Sequence, residues 1–126
     1  MKKIFTLVIA LVMSIGVYAQ TPLTEAVDFT TTDHEGNEIH LFDILDGGQY
    51  VLINFFQTSS EQCHNAVPKV VDAYYALGCN EGDVYFMEIS ETDHDASYSA
   101  GGWISKYNIP YPTIHLETGG VKGDSI

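Results

Sequence analysis

The seven residues Tyr50-Val51-Leu52-Ile53-Asn54-Phe55-Phe56 limit what this chain can fold into more than any other stretch. They form a nearly continuous apolar run rich in β-branched and aromatic side chains. Such a run reads as a central strand buried on both faces, the signature of a parallel sheet. A helical pattern follows within a few residues. Val67, Val70, Val71, Tyr74 and Leu77 recur at helical spacing, and Gly78 is a natural stop. Thr58 with Glu61, and Ser59 with Gln62, both have capping-box spacing, which puts the helix start inside residues 58–62. Pro68 lies beyond the first turn and predicts a kink.

The remaining elements follow from the same periodicities. Val84-Tyr85-Phe86-Met87-Glu88-Ile89 is a second buried strand. Residues 95–107 form a weaker helix, interrupted near Gly101-Gly102 and resuming through Trp103, Ile104 and Tyr107. Residues 111–116 read as a short edge strand, and residues 119–123 as a turn. Upstream, residues 27–30 and 38–41 alternate apolar and polar around an Asp33-His34-Glu35-Gly36-Asn37 turn, which makes a β-hairpin. Residues 42–45 form one helical turn, stopped by Gly47-Gly48. Hairpin, strand, helix, strand, helix is an α/β order with a parallel core.

Met1-Lys2-Lys3, a short apolar run to Tyr18 and the Val17-Tyr18-Ala19 triplet before Gln20 together form a secretory signal peptide over residues 1–19. The run is shorter than the ~20 residues that span a bilayer, and no second such run follows, so no integral membrane span is expected after cleavage. Residues 20–126 are expected to form one domain, periplasmic or secreted. The chain has 126 residues, 5 basic and 17 acidic side chains and a formal charge of −12, and losing Lys2 and Lys3 makes it more acidic still. Nucleic acid is therefore excluded as a partner on charge grounds. The 45% hydrophobic content supports a packed core. Export allows disulfides to persist. Cys63 and Cys79, however, fall near opposite ends of one helix, roughly 20 Å apart, whereas bridged Cα atoms lie within about 7 Å.

With these elements in place, the residues around Cys63 resemble the active-site turn of the thioredoxin superfamily, Phe-Trp-Ala-x-Trp-Cys-x-x-Cys with a proline in the helix behind it. Aligned without gaps, Ser60 takes the place of the first cysteine, Cys63 that of the second, and Pro68 that of the proline. Val27-Asp28-Phe29-Thr30, the 33–37 turn and Ile39-His40-Leu41 resemble the N-terminal hairpin of the extracytoplasmic TlpA-like thioredoxins. Those are relatives of the alkyl-hydroperoxide-reductase and thiol-specific-antioxidant (redoxin) group. Residues 103–116 resemble that family's segment "FxKKYGxxFPxLxD". The resemblance implies a thioredoxin-like α/β fold and thiol-redox chemistry. It also implies that the family's cis-proline loop and last strands fall beyond Ile126, so the domain is expected to be incomplete at its C-terminus.

The residues modify that chemistry. Disulfide exchange needs a thiolate to attack and a second thiol to release the mixed disulfide, and the Ser60 hydroxyl does neither at neutral pH. Its simpler role is to cap the helix. Asn54 stands where many cytoplasmic thioredoxins keep a buried acid, and an amide does not titrate. Cys63 at a helix start is favoured as thiolate by the macrodipole, and Ser60-x-x-Cys63 resembles the Thr/Ser-x-x-Cys of peroxiredoxins. Glu61 opposes the thiolate, and the arginine that peroxiredoxins place beside the cysteine has no counterpart here. A half-buried structural cysteine is the competing reading. His64 points about 100° away from Cys63 and is no obvious base for it. His34, Glu35, Glu38 and His40 are better explained as hairpin surface than as metal ligands, and Asp93-His94-Asp95 as a loop and cap. No phosphate loop or serine-hydrolase elbow is present, and no cofactor is expected. Two functions follow: redox chemistry resting on Cys63, with Ser60 beside it and a thiol or disulfide protein or peptide as partner, or a non-catalytic module that binds a partner or peptide beside residues 58–63.

Overall fold

A computed structural model describes residues 25–91 and 100–115. The leader at 1–19, the Asp93-His94-Asp95 loop, the helix start expected at residue 95 and the 119–123 turn lie outside the described residues. In chain order the elements are β1 (Thr30–Thr32), β2 (Glu38–His40), α1 (Leu41–Asp46), β3 (Tyr50–Phe56), α2 (Glu61–Ala76), β4 (Val84–Ser90), α3 (Ala100–Tyr107) and β5 (Thr113–Ile114). β1 and β2 form the antiparallel hairpin, with Thr31 opposite Ile39. β3, β4 and β5 form a parallel sheet in that order.

That order fixes the layers. Both crossovers step in the same direction along the sheet, and right-handed crossovers then put both helices on one face. Phe56 of β3 and Phe86 of β4 accordingly pack with Val67 and Tyr74 of α2, Trp103 of α3 and Tyr111 in one core cluster. The opposite face carries Met87, Ile89 and Ile114, covered by Ile39 of the hairpin with Phe29 and Ile44 against it. β4 is the strand buried on both faces. β3 departs from expectation: Tyr50 is 75% exposed, and Leu52 and Phe55 are both 37% exposed. Among the described residues β3 pairs with β4 alone, so an apolar run made for two neighbours shows one open edge.

Other departures are local. Val27 is exposed and outside the hairpin strand, which begins at Thr30. Gly101 and Gly102 lie within α3 and do not break it, because Trp103 and Ile109 anchor that segment in the core. The edge strand shortens to Thr113–Ile114. α2 runs through Pro68, whose nitrogen has no hydrogen to give the His64 carbonyl. The helix ends where expected: Gly78 takes φ +99°, and the Cys79 N–H reaches the Tyr74 carbonyl at 3.0 Å. A side chain at Gly78 would also press on the backbone of Gly82, 3.1 Å away.

Within the helix-facing core one row is polar. Asn54 of β3, Glu88 of β4 and Thr113 of β5 are side-by-side partners across the sheet. Glu88 is fully buried. Its Oε1 accepts from Thr113 Oγ1 at 2.9 Å and from Trp103 Nε1 at 3.1 Å, and Asn54 Nδ2 lies 3.5 Å from Oε2. Burial pushes the carboxyl up to about 7, against hydrogen bonds from Thr113, Asn54 and Trp103 that pull it down. The folded state therefore holds a proton that the unfolded chain has already released, and stability falls as pH rises from about 4.5 through about 7. The shift corresponds to about 3 kcal/mol. Glu88→Gln keeps the shape and removes the titration. Denaturant unfolding at a series of pH values is expected to show the variant gaining on wild type by that amount between acid and pH 8. A difference that stays flat with pH would show that Glu88 is not the group responsible.

Candidate functional site

The turn after β3 is built by backbone hydrogen bonds. The Ser60 N–H donates to the Gln57 carbonyl at 3.1 Å, closing residues 57–60, and the His64 N–H donates to the Ser60 carbonyl at 3.2 Å, opening the helix. Ser60 is thus the N-cap, in extended conformation, and its Oγ accepts the Cys63 N–H at 3.4 Å. Neither capping box frames this start. With the cap at Ser60, the third helical residue is Cys63, so the hydroxyl meets a backbone donor with no side-chain acid answering it. Glu61, in the first turn, adds a negative charge where the helix dipole is positive.

Cys63 is half-buried and packs against the core cluster that contains Phe56, Val67 and Trp103. Cys79 is exposed, past the far end of α2, with φ +56°. Both thiols are free. The geometric expectation that they do not pair holds.

His64 turns away from Cys63. Its Nε2 lies 2.8 Å from the Thr58 carbonyl and its Nδ1 is hydrogen-bonded to the Tyr107 hydroxyl. A carbonyl only accepts, so Nε2 carries the proton, and in the neutral ring Nδ1 accepts from Tyr107. The imidazole ties the turn to α3 and is not a base for the thiol. Trp103 sits at the centre of this tie. Its ring stacks on Phe56 with centroids 5.0 Å apart, and it contacts His64 at 5.0 Å and Tyr107 at 4.9 Å. Beside the turn, Thr58, His64, Gly102, Trp103 and Lys106 line a cavity of about 280 Å³. The hairpin histidines are engaged elsewhere. His40 bonds Glu38 at 2.7 Å and Thr30 at 2.9 Å, and the His34 ring accepts the Thr113 backbone N–H on Nδ1 at 3.4 Å. Among the described residues no group of three or more His, Cys, Asp or Glu is arranged to hold a metal ion.

The structure brings Ser60 and Cys63 together at one helix start. It adds three residues to their surroundings: His64 and Trp103, which wall the cavity, and Glu88, which binds the Trp103 indole. An acid inside the apolar run Val84–Ser90 was the only sequence signal for the last. β5 runs outside β4, with the Glu88 N–H donating to the Pro112 carbonyl at 3.0 Å, so Pro112 is separated from β3 by a strand.

Ser60→Ala removes the cap acceptor and is expected to cost about 1 kcal/mol in denaturant unfolding, with Ser60→Asn recovering most of it. Equal losses for both substitutions would show that the hydroxyl is not capping.

The family model for the AhpC/TSA family matches residues 22–124. No curated protein matches the chain. Several solved structures share its fold. A thiol:disulfide interchange protein from Bacteroides sp. aligns with TM-score 0.58 at 19% identity, over 79% of this chain and 59% of that one. A secreted Mycobacterium tuberculosis disulfide oxidoreductase aligns with TM-score 0.53 at 21% identity, over 70% of this chain and 60% of that one. A thioredoxin-family thiol:disulfide interchange protein from Chlorobium tepidum aligns with TM-score 0.58 at 16% identity, over 85% and 66%. The chain thus spans less than two thirds of the length of each of these proteins. At these identities the likeness establishes a thioredoxin-like α/β fold. With the family match running over most of its length, the chain belongs to the AhpC/TSA family.

Proposed function

We propose that this chain is an exported thioredoxin-like protein of thiol-redox type, in which Ser60 impairs dithiol exchange and Cys63 carries any redox activity. The observation that supports this most is the cap. A hydroxyl stands three residues before Cys63, and it is bound to that residue's own N–H. Serine supplies no second thiol to release a mixed disulfide. Cys79 cannot substitute, since it lies past the far end of α2 from Cys63, roughly 20 Å away.

The chemistry left to Cys63 is that of a single thiol. As thiolate it attacks one sulfur of a partner disulfide, forming a mixed disulfide while the other sulfur leaves as thiolate. A second thiol, supplied in trans, then attacks the mixed disulfide and frees Cys63. Toward a hydroperoxide, Cys63 takes the terminal oxygen to become a sulfenic acid and an alcohol leaves. A thiol then condenses with the sulfenic acid, giving a disulfide and water. The partner is a thiol or disulfide protein or peptide. Export rests on the leader at residues 1–19, with residues 20–126 forming the thioredoxin-like domain. The likeness to a secreted oxidoreductase is in keeping with it. No helix among the described residues is long and apolar enough to cross a membrane. The cavity beside the turn favours a second reading, a non-catalytic module that binds a partner peptide there.

Glutathione disulfide offered to the full chain at neutral pH separates the two. Redox function predicts a mixed disulfide at Cys63, located by peptide mass, that persists until a second thiol is added. Ser60→Cys is expected to resolve it internally as a 60–63 disulfide. Labelling at Cys79 with none at Cys63 would sink the redox reading and leave the binding module.

A further inference from the structure

The row Asn54-Glu88-Thr113, buried at Glu88 and Thr113 and half-buried at Asn54, lies beneath Trp103, and Trp103 walls the cavity that Thr58 and His64 line at the start of α2. We propose that Glu88 is a positioning residue for this site: its carboxylate holds the Trp103 indole, and proton uptake by Glu88 with turnover of the Asn54 amide loosens that hold. The proposal rests on residues 58–63 being the working site.

The hydrogen-bond inventory requires the coupling. An indole N–H only donates, so Trp103 depends on Glu88 Oε1 as its acceptor. The same oxygen accepts from Thr113. A proton arriving on the carboxyl therefore settles on Oε2, the oxygen that faces Asn54. At 3.5 Å the amide nitrogen makes at most a weak bond to Oε2, and its hydrogens would oppose a second donor. Turned over, the amide presents its carbonyl, and Oε2–H donates to Asn54 Oδ1. Both protonation states are then satisfied, the proton comes from solvent, and no other group changes charge. What changes is the bond to Trp103. A hydrogen bond to an ionised acceptor is about twice as strong as one to a neutral acceptor.

Other ionisable groups lie on the elements packed around the row. On α2 they are Cys63, His64 and Tyr74, and on α3 Lys106 and Tyr107. Tyr111 and His115 flank β5, and β3 contributes the neutral Asn54. Burial and then the Glu88 charge hold the Tyr111 hydroxyl above its ordinary range, so it stays protonated throughout. His64 touches the Trp103 ring, so it is varied alongside Glu88.

Trp103 is the only tryptophan of the chain, so its emission reports the wall directly. The full chain is titrated from pH 5 to pH 9, within the range where it stays folded. Wild type is expected to show an emission transition with a midpoint near 7. Glu88→Gln is expected to abolish it, and His64→Gln to retain it. Thr113→Val, which removes one donor to the carboxylate, is expected to move the midpoint up by about one unit, and it decides the matter if Glu88→Gln does not fold. A transition that survives Glu88→Gln, vanishes in His64→Gln or stays fixed in Thr113→Val overturns the proposal. Failure of Cys63 to accept glutathione at any pH is a separate result. It defeats the redox reading, and the emission transition is measured without reference to it.

Discussion

One carboxylate on the helix side of β4 joins that strand to α3 and β5 and faces β3. Glu88 sits in the buried part of β4 and takes hydrogen bonds from α3 and β5 on one oxygen, while the other faces β3. The parallel register brings this about: Asn54 opposite Glu88, and Glu88 opposite Thr113. A slip of one residue in either pairing would send a side chain of the row to the other face and leave a buried charge short of donors. Burying an acid costs stability above its titration point. It also fixes the register and the seat of Trp103 more sharply than an apolar residue of the same size would.

Under the proposed function, the start of α2 is a trade between helix stability and redox chemistry. A serine oxygen is a strong hydrogen-bond acceptor and a good N-cap, whereas a thiol sulfur is a weak acceptor. With Ser60 in place the Cys63 N–H has an acceptor, and no second thiol stands beside Cys63. The neighbouring histidine reinforces the same geometry. His64 is bound on both ring nitrogens, to Thr58 and Tyr107, and so braces the turn against α3.

Where the sequence was informative, the reason was local. β4 and α2 show their periods plainly, and Gly78 marks the helix stop because its positive φ is a property of the backbone itself. Ser60 was identifiable as a cap by residue type. The capping boxes at Thr58 and Ser59 fitted equally well, and only the turn closed by the Ser60 N–H decides among the three positions. The open edge of β3 is not written in its own residues, since burial depends on neighbours. Gly101 and Gly102 have poor helix propensity, and the packing of Trp103 overrides it. The partners of Glu88 lie 34, 25 and 15 residues away, so nothing local to the acid gives its role.

Those long separations explain why Trp103, which lies outside the turn, links Glu88 to the cavity. The turn at 57–60 is held by short-range bonds and would form on any strand-to-helix junction with these residues. Its setting is held by Trp103, which touches Phe56 at the end of β3, His64 in the first turn of α2 and Glu88 in the core. A change in Glu88 therefore reaches the cavity through one rigid ring and does not require the backbone around Cys63 to move. The thiol chemistry and the shape of the neighbouring cavity are thus separable properties. Under the proposed function Ser60 and Cys63 set the first, and Glu88, acting through Trp103, sets the second.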